Sequence, residues 1–223
     1  MRRDGSLVPN PDSTIDLPQH SSPTQALVSP KDHLVFGCEF QGDSKVASYK
    51  YYRAGIMSEV NFVLPTTMGG TFQGLVLHPG KRILYAGLLR SKEVGVYTFD
   101  GSGTLTFVTS VPNTGKDICW FKTNARGTRL YTSESVSDTI SVYDITNPLL
   151  PVFLQQVTLT APDGPELNIA LDPTEQFLYS LAGRDVHILS LDGNGLLSET
   201  LPPYRFPGLA PNVEPIGLAV VRK

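Results

Sequence analysis

Two glutamates, Glu39 and Glu134, stand in the same place of a repeating pattern, three residues after an aromatic position (Phe36 and Tyr131). Two carboxyl groups around one cavity can divide the roles of proton donor and acceptor, or together hold a cation. The plainer account is that each caps a loop or meets water. Asp117 follows Lys116 just before the apolar stretch Ile118 to Phe121. It is a third candidate acid, with Lys116 as an anchor for an anionic group and a solvated ion pair as the competing account. Arg90 and Arg184 follow the aromatic positions of two other repeats. A guanidinium there grips a carboxylate or phosphate through paired N–H donors, or faces solvent. Gln25, Gln73 and Asn168 stand at or near the start of further apolar stretches and are read as substrate contacts.

Other chemistries find no support. The four histidines, His20, His33, His78 and His187, have no metal-ligand spacing to one another or to a Cys or acid pair, so no metal is expected. Ser-x-x-Lys, Gly-x-Ser-x-Gly and Walker motifs are absent. Gly101-Ser102-Gly103 lacks the following helix that a phosphate loop needs, and no cofactor is expected.

The elements that must position these residues recur four times. Each unit has a short apolar strand, a turn residue and an aromatic six positions later: Pro30 with Phe36, Pro79 with Tyr85, Ala125 with Tyr131, Pro173 with Tyr179. The aromatics at 36, 85, 131 and 179 are spaced by 49, 46 and 48 residues. Third strands such as Glu93-Val94-Gly95-Val96-Tyr97 and Thr139-Ile140-Ser141-Val142-Tyr143 alternate with period two and are rich in β-branched and aromatic types. Gly-containing turns then lead to a fourth strand. Four strands per repeat of this length predict a β-propeller of four-stranded antiparallel blades. The expected units are about 19–65, 66–113, 114–160 and 161–207 of a single domain, with partial-blade strands at 5–16 and 215–221. The innermost strand precedes each turn residue. Residues at its start, and those after the aromatic, should face the channel at one end.

Bulk properties bound the partners. Of 223 residues 40% are hydrophobic and 17% charged, a globular balance. A net charge of −3 without a Lys/Arg cluster argues against nucleic acid, because phosphate binding needs a concentrated basic face. No apolar run suits a signal peptide or a membrane span. Cys38 and Cys119 lie in separate apolar strands and read as buried thiols, which suits a reducing cytoplasm.

The stretch Gly127-Thr128-Arg129-Leu130-Tyr131 through Ser137-Asp138-Thr139-Ile140-Ser141-Val142-Tyr143 resembles the lactonase family of seven-bladed propellers, which includes 6-phosphogluconolactonase-like and carboxymuconate-cyclising proteins. Leu171-Asp172-Pro173 to Tyr179 and Phe99-Asp100-Gly101-Ser102-Gly103-Thr104-Leu105 extend the likeness along the chain. The resemblance implies hydrolysis, or cyclisation or isomerisation, of a small anionic or oxygenated lactone-type molecule in the central channel. Glu134 falls where the family pattern places an acid. The places where the pattern has His or Arg hold Thr24 and Gln25, Thr71 and Gln73, Lys116 and Asp117, and Glu166 and Asn168. Seven such blades need more residues than this chain has, so the expectation is either an N-terminally truncated propeller or a partial ring that self-association completes. The alternative to an enzyme is a non-catalytic propeller serving as a ligand- or protein-binding scaffold.

Overall fold

The computed structural model describes residues 4, 6, 8, 14–29, 31–41, 45–52, 57–63, 71–210, 213 and 215–221. Pro30 and most of the 5–16 segment lie outside them. The first sheet comprises β1 (Ser22–Ser29), β2 (Leu34–Gln41), β3 (Val46–Tyr51) and β4 (Met57–Val63). The second has β5 (Phe72–Leu77), β6 (Ile83–Leu88), β7 (Glu93–Phe99) and β8 (Leu105–Pro112), and the third β9 (Ile118–Thr123), β10 (Arg129–Glu134), β11 (Thr139–Asp144) and β12 (Val152–Thr158). The fourth has β13 (Glu166–Leu171), β14 (Phe177–Ala182), β15 (Asp185–Leu191) and β16 (Leu197–Glu199). Within each sheet the strands follow chain order and pair antiparallel. A short β17 (Tyr204–Arg205) also pairs with β15. The outermost strand of the fourth sheet is thus in two pieces, split at Pro202-Pro203, which have no N–H to offer a ladder.

The innermost strands pack side by side, β5 against β1 and β9, and β9 against β13. The chain is therefore an all-β propeller whose blades stand around a common axis. No described residue of 5–16 or 215–221 forms a strand, although Leu218–Val220 line a cavity with residues of β9 and β13.

The core is built between blades rather than within them. One buried cluster joins Leu34 and Phe36 of the first blade to Leu84, Leu88 and Tyr97 of the second. The next joins Tyr85, Val94 and Val96 to Ile118, Phe121 and Tyr143. A third joins Tyr131, Ile140 and Val142 to Ile169, Leu178 and Leu189. Period-two strands make this possible, because alternate residues face the preceding and the following blade. The repeated aromatic fastens neighbouring blades: Tyr85 donates its hydroxyl to the Pro148 carbonyl (2.9 Å) and Tyr131 to that of Gly195 (3.0 Å). In the first blade Phe36 has no hydroxyl, and Ser48 makes the equivalent bridge to the Gly103 carbonyl (2.6 Å).

All four innermost strands are irregular near their first residues. Pairing with the second strand slips between Pro23 and Gln25, Phe72 and Leu75, Ile118 and Phe121 (opposite Glu134 and Thr132), and Glu166 and Asn168. Such bulges turn side chains that a regular ladder would send elsewhere. They mark the end of the propeller where innermost strands begin and second strands finish, called the leading end below.

Candidate functional site at the leading end

Register places four residue pairs opposite one another at the leading end: Pro23 with Glu39, Phe72 with Leu88, Ile118 with Glu134, and Glu166 with Ala182. Three of the four pairs hold one carboxyl group. In the first and third blades it is on the second strand, and in the fourth it crosses to the innermost strand. All three acids are buried.

Glu134 is the most fully held. Its Oε1 accepts from Asn113 (3.0 Å) and Thr132 (2.5 Å), and its Oε2 from Thr139 (2.7 Å) and Ser141 (3.2 Å). Gly115 lies directly over it, so close that a Cβ there would fall 2.3 Å from the Glu134 Cγ. Burial pushes the carboxyl up to about 6, against the pull of these four donors.

Glu166 is held differently. Ser180 donates to its Oε1 (3.0 Å), while Oε2 has no hydrogen-bond partner among the described residues. Burial pushes its carboxyl up to about 8, opposed by Ser133, Ser180 and the Asn168 N–H and reinforced by the negative charge of Glu134. At neutral pH Glu166 thus carries its proton while most Glu134 is ionised. Two nearby carboxyls with separated pKa values are the arrangement that divides acid from base.

Asp117, Lys116 and Gln73 converge on the same region. Asp117 is half-buried with φ of 59°, in the left-handed region that few residues other than glycine adopt. Its carbonyl accepts the Ser135 N–H (3.0 Å) and the Cys119 thiol (3.1 Å), fastening the start of β9 to the end of β10. Lys116 is exposed, its N–H on the Ser137 hydroxyl (2.9 Å). Gln73 accepts from the Cys119 thiol (3.2 Å), and both Glu166 and Asp117 act electrostatically on that sulfur. Asn168 is half-buried beside Glu166. Glu134, Glu166, Asp117, Lys116 and Asn168 of the third and fourth blades therefore form one neighbourhood with Gln73 of the second.

The remaining candidates lie apart. Gln25 accepts the Leu75 N–H (2.6 Å) and so joins the first blade to the second. Glu39 accepts from Ser21 (3.2 Å) and faces the Lys45 ammonium at 4.0 Å, next to a cavity of about 180 Å³ on the outer face of the first blade. Arg90 is exposed on the turn after β6. Arg184 donates to the Leu209 carbonyl (2.6 Å). Trp120 is half-buried against the cluster between the third and fourth blades.

Glu166 is not among the site acids expected from the sequence. Its signal was available: it is an acid directly before the apolar run of an innermost strand. What the residue order does not show is that it occupies the same layer as Glu39 and Glu134 from the opposite strand.

A sequence profile described as "Lactonase, 7-bladed beta-propeller" matches residues 63–207, more than half of the chain. The chain belongs to that family. No curated protein matches it. Among solved structures, this lactonase-family chain is similar to a Lactobacillus plantarum protein (22% identity, TM-score 0.72), covering 82% of this chain and 55% of that one. It is similar also to the periplasmic gluconolactonase of Pseudomonas aeruginosa (18% identity, TM-score 0.72), covering 92% of this chain and 61% of that one. Hydrazine synthase of Kuenenia stuttgartiensis matches as well (16% identity, TM-score 0.65), over 83% of this chain and 50% of that one. At such identities the likeness is one of fold, which hosts unrelated activities. The chain spans between half and 61% of the length of these three structures.

Proposed function

We propose that this propeller is a lactonase-like catalyst that opens a small, oxygenated lactone at the leading end between its third and fourth blades. The observation that carries the reading is Glu166, a buried and protonated carboxyl with one oxygen unpartnered among the described residues, set beside the ionised Glu134. In hydrolysis water adds to the ring carbonyl, the ring C–O bond breaks, and the departing alkoxide needs a proton. Glu166 supplies that proton and regains one from the added water, so it ends as it began. Burial, reinforced by the Glu134 charge, holds Glu166 in its protonated form, and Glu134 is itself fixed by four donors. Lys116, exposed beside them, is placed to attract an anionic substituent. Glu166 is closed off in this state, so substrate reaches it only when the links at the leading end part.

That closure favours a second reading, a non-catalytic scaffold whose buried acids are architectural. Proton release from glucono-δ-lactone, followed with a pH indicator on the purified chain, separates the two. The lactonase reading expects turnover above the uncatalysed rate, and a loss of about 10²-fold or more in Glu166→Gln, as for a lost general acid. Identical rates for wild type, Glu166→Gln and buffer would leave the scaffold.

A further inference from the structure

At the opposite end of the innermost strands a cavity of about 440 Å³ opens between β9, β13 and the C-terminal residues Leu218, Ala219 and Val220. Much of its wall is aliphatic, including Ala170, Leu171, Pro173 and Leu218, and it contains one cation, Lys122. Strand alternation sets the direction of that side chain. Thr123 turns back to the second blade, donating to the Leu77 carbonyl (3.4 Å), so its neighbour Lys122 faces the fourth.

The two acids in the wall are already engaged. Asp172 accepts backbone N–H groups of Thr174 (3.0 Å), Gln176 (2.8 Å) and Phe177 (3.1 Å), and Glu175 accepts that of Ala125. No ion pair among the described residues includes Lys122. Burial draws the Lys122 ammonium below the usual lysine range.

We propose that this cavity binds an aliphatic monocarboxylate, with the carboxylate on the Lys122 ammonium and the hydrocarbon body against Leu171, Pro173 and Leu218. A desolvated cation gains most from an anion that arrives with its own apolar cover. An inorganic anion would leave the aliphatic wall unused, and a neutral alcohol would leave the ammonium unpaired. The site is independent of the lactonase reading, since it lies at the other end of the strands and shares no residue with it.

Calorimetric titration of the full chain with butanoate, hexanoate and octanoate tests the proposal. One site is expected, tightening about fourfold for each added methylene. Lys122→Met should weaken octanoate at least tenfold, and Lys122→Arg should retain it, with circular dichroism confirming that both variants are folded. Equal octanoate affinity in wild type and Lys122→Met would overturn the proposal, because apolar adsorption alone would then account for binding. Methyl NMR of the wild type needs no variant: the Leu171 and Leu218 signals should move on adding octanoate. Their staying still at saturating octanoate would equally overturn it.

Discussion

Replacing Glu166 with glutamine should change how stability depends on pH. In the native protein burial and the Glu134 charge hold the Glu166 carboxyl at about 8, against an ordinary value of 4.5. Below pH 4.5 both the native and the unfolded chain carry this proton, and the group has no effect on stability. Between 4.5 and 8 the unfolded chain releases the proton while the native chain keeps it. Stability therefore falls as pH rises through this window. At about 1.4 kcal/mol for each pKa unit, the loss approaches about 5 kcal/mol by pH 8. Glutamine does not titrate, and its amide can still meet the Ser180 and Ser133 hydroxyls. Glu166→Gln should therefore be close to wild type near pH 4.5 and several kcal/mol more stable near pH 8. Urea denaturation of both proteins at half-unit steps from pH 4.5 to 8.5 gives the difference directly. Glu134 also titrates in this range, pushed up to about 6. It is present in both proteins, so most of its contribution cancels in the comparison. Parallel profiles would refute the reasoning, since they would mean that Glu166 is not protonated in the folded state.

Three further outcomes follow from the geometry. Glu134→Leu strands the Asn113, Thr132, Thr139 and Ser141 donors and should cost about 3 kcal/mol or more in urea denaturation, whereas Glu134→Gln should cost less. His78 takes the Gly80 N–H on Nδ1 (3.1 Å) and gives Nε2–H to the Gly127 carbonyl (3.2 Å), so only its neutral form fits, and burial lowers its pKa below 6.5. Its share of stability should be complete above pH 6.5 and be lost as pH falls through the lowered native value, and His78→Gln should flatten that limb of the denaturation profile. Cys38 and Cys119 are buried, with burial pushing both thiols up to about 11, so a disulfide reagent at pH 8 should label neither in the native protein and both in urea.

The legible part of the site was its repeat position. Glu39 and Glu134 share one slot in two blades, and a fixed distance from an aromatic anchor suffices to find it. Glu166 escaped because the same layer can be filled from either of two paired strands, and only register shows that Glu166 opposes Ala182 as Ile118 opposes Glu134. Gln25 and Gln73 looked like ligand contacts because they are polar near the start of apolar strands. Folded, each accepts a hydrogen bond from the next blade, Gln25 from Leu75 and Gln73 from Cys119. Sequence alternation tells which residues share a face of a strand but not which neighbouring group that face meets.

The residue order by itself determined the architecture. Local alternation, turn residues and a recurring aromatic are all short-range signals, and repetition multiplies their weight until only a propeller satisfies them. It also put Glu39, Glu134 and Glu166 at the ends of apolar strands, without showing that they share one layer. Only the tertiary structure decided what those acids became. Glu134 met four donors beneath Gly115 and was locked, while Glu166 was held less completely and, among the described residues, kept its Oε2 without a partner. That difference depends on distances between blades far apart in the chain, and a carboxyl group's proton affinity is set by the partners and the burial found there.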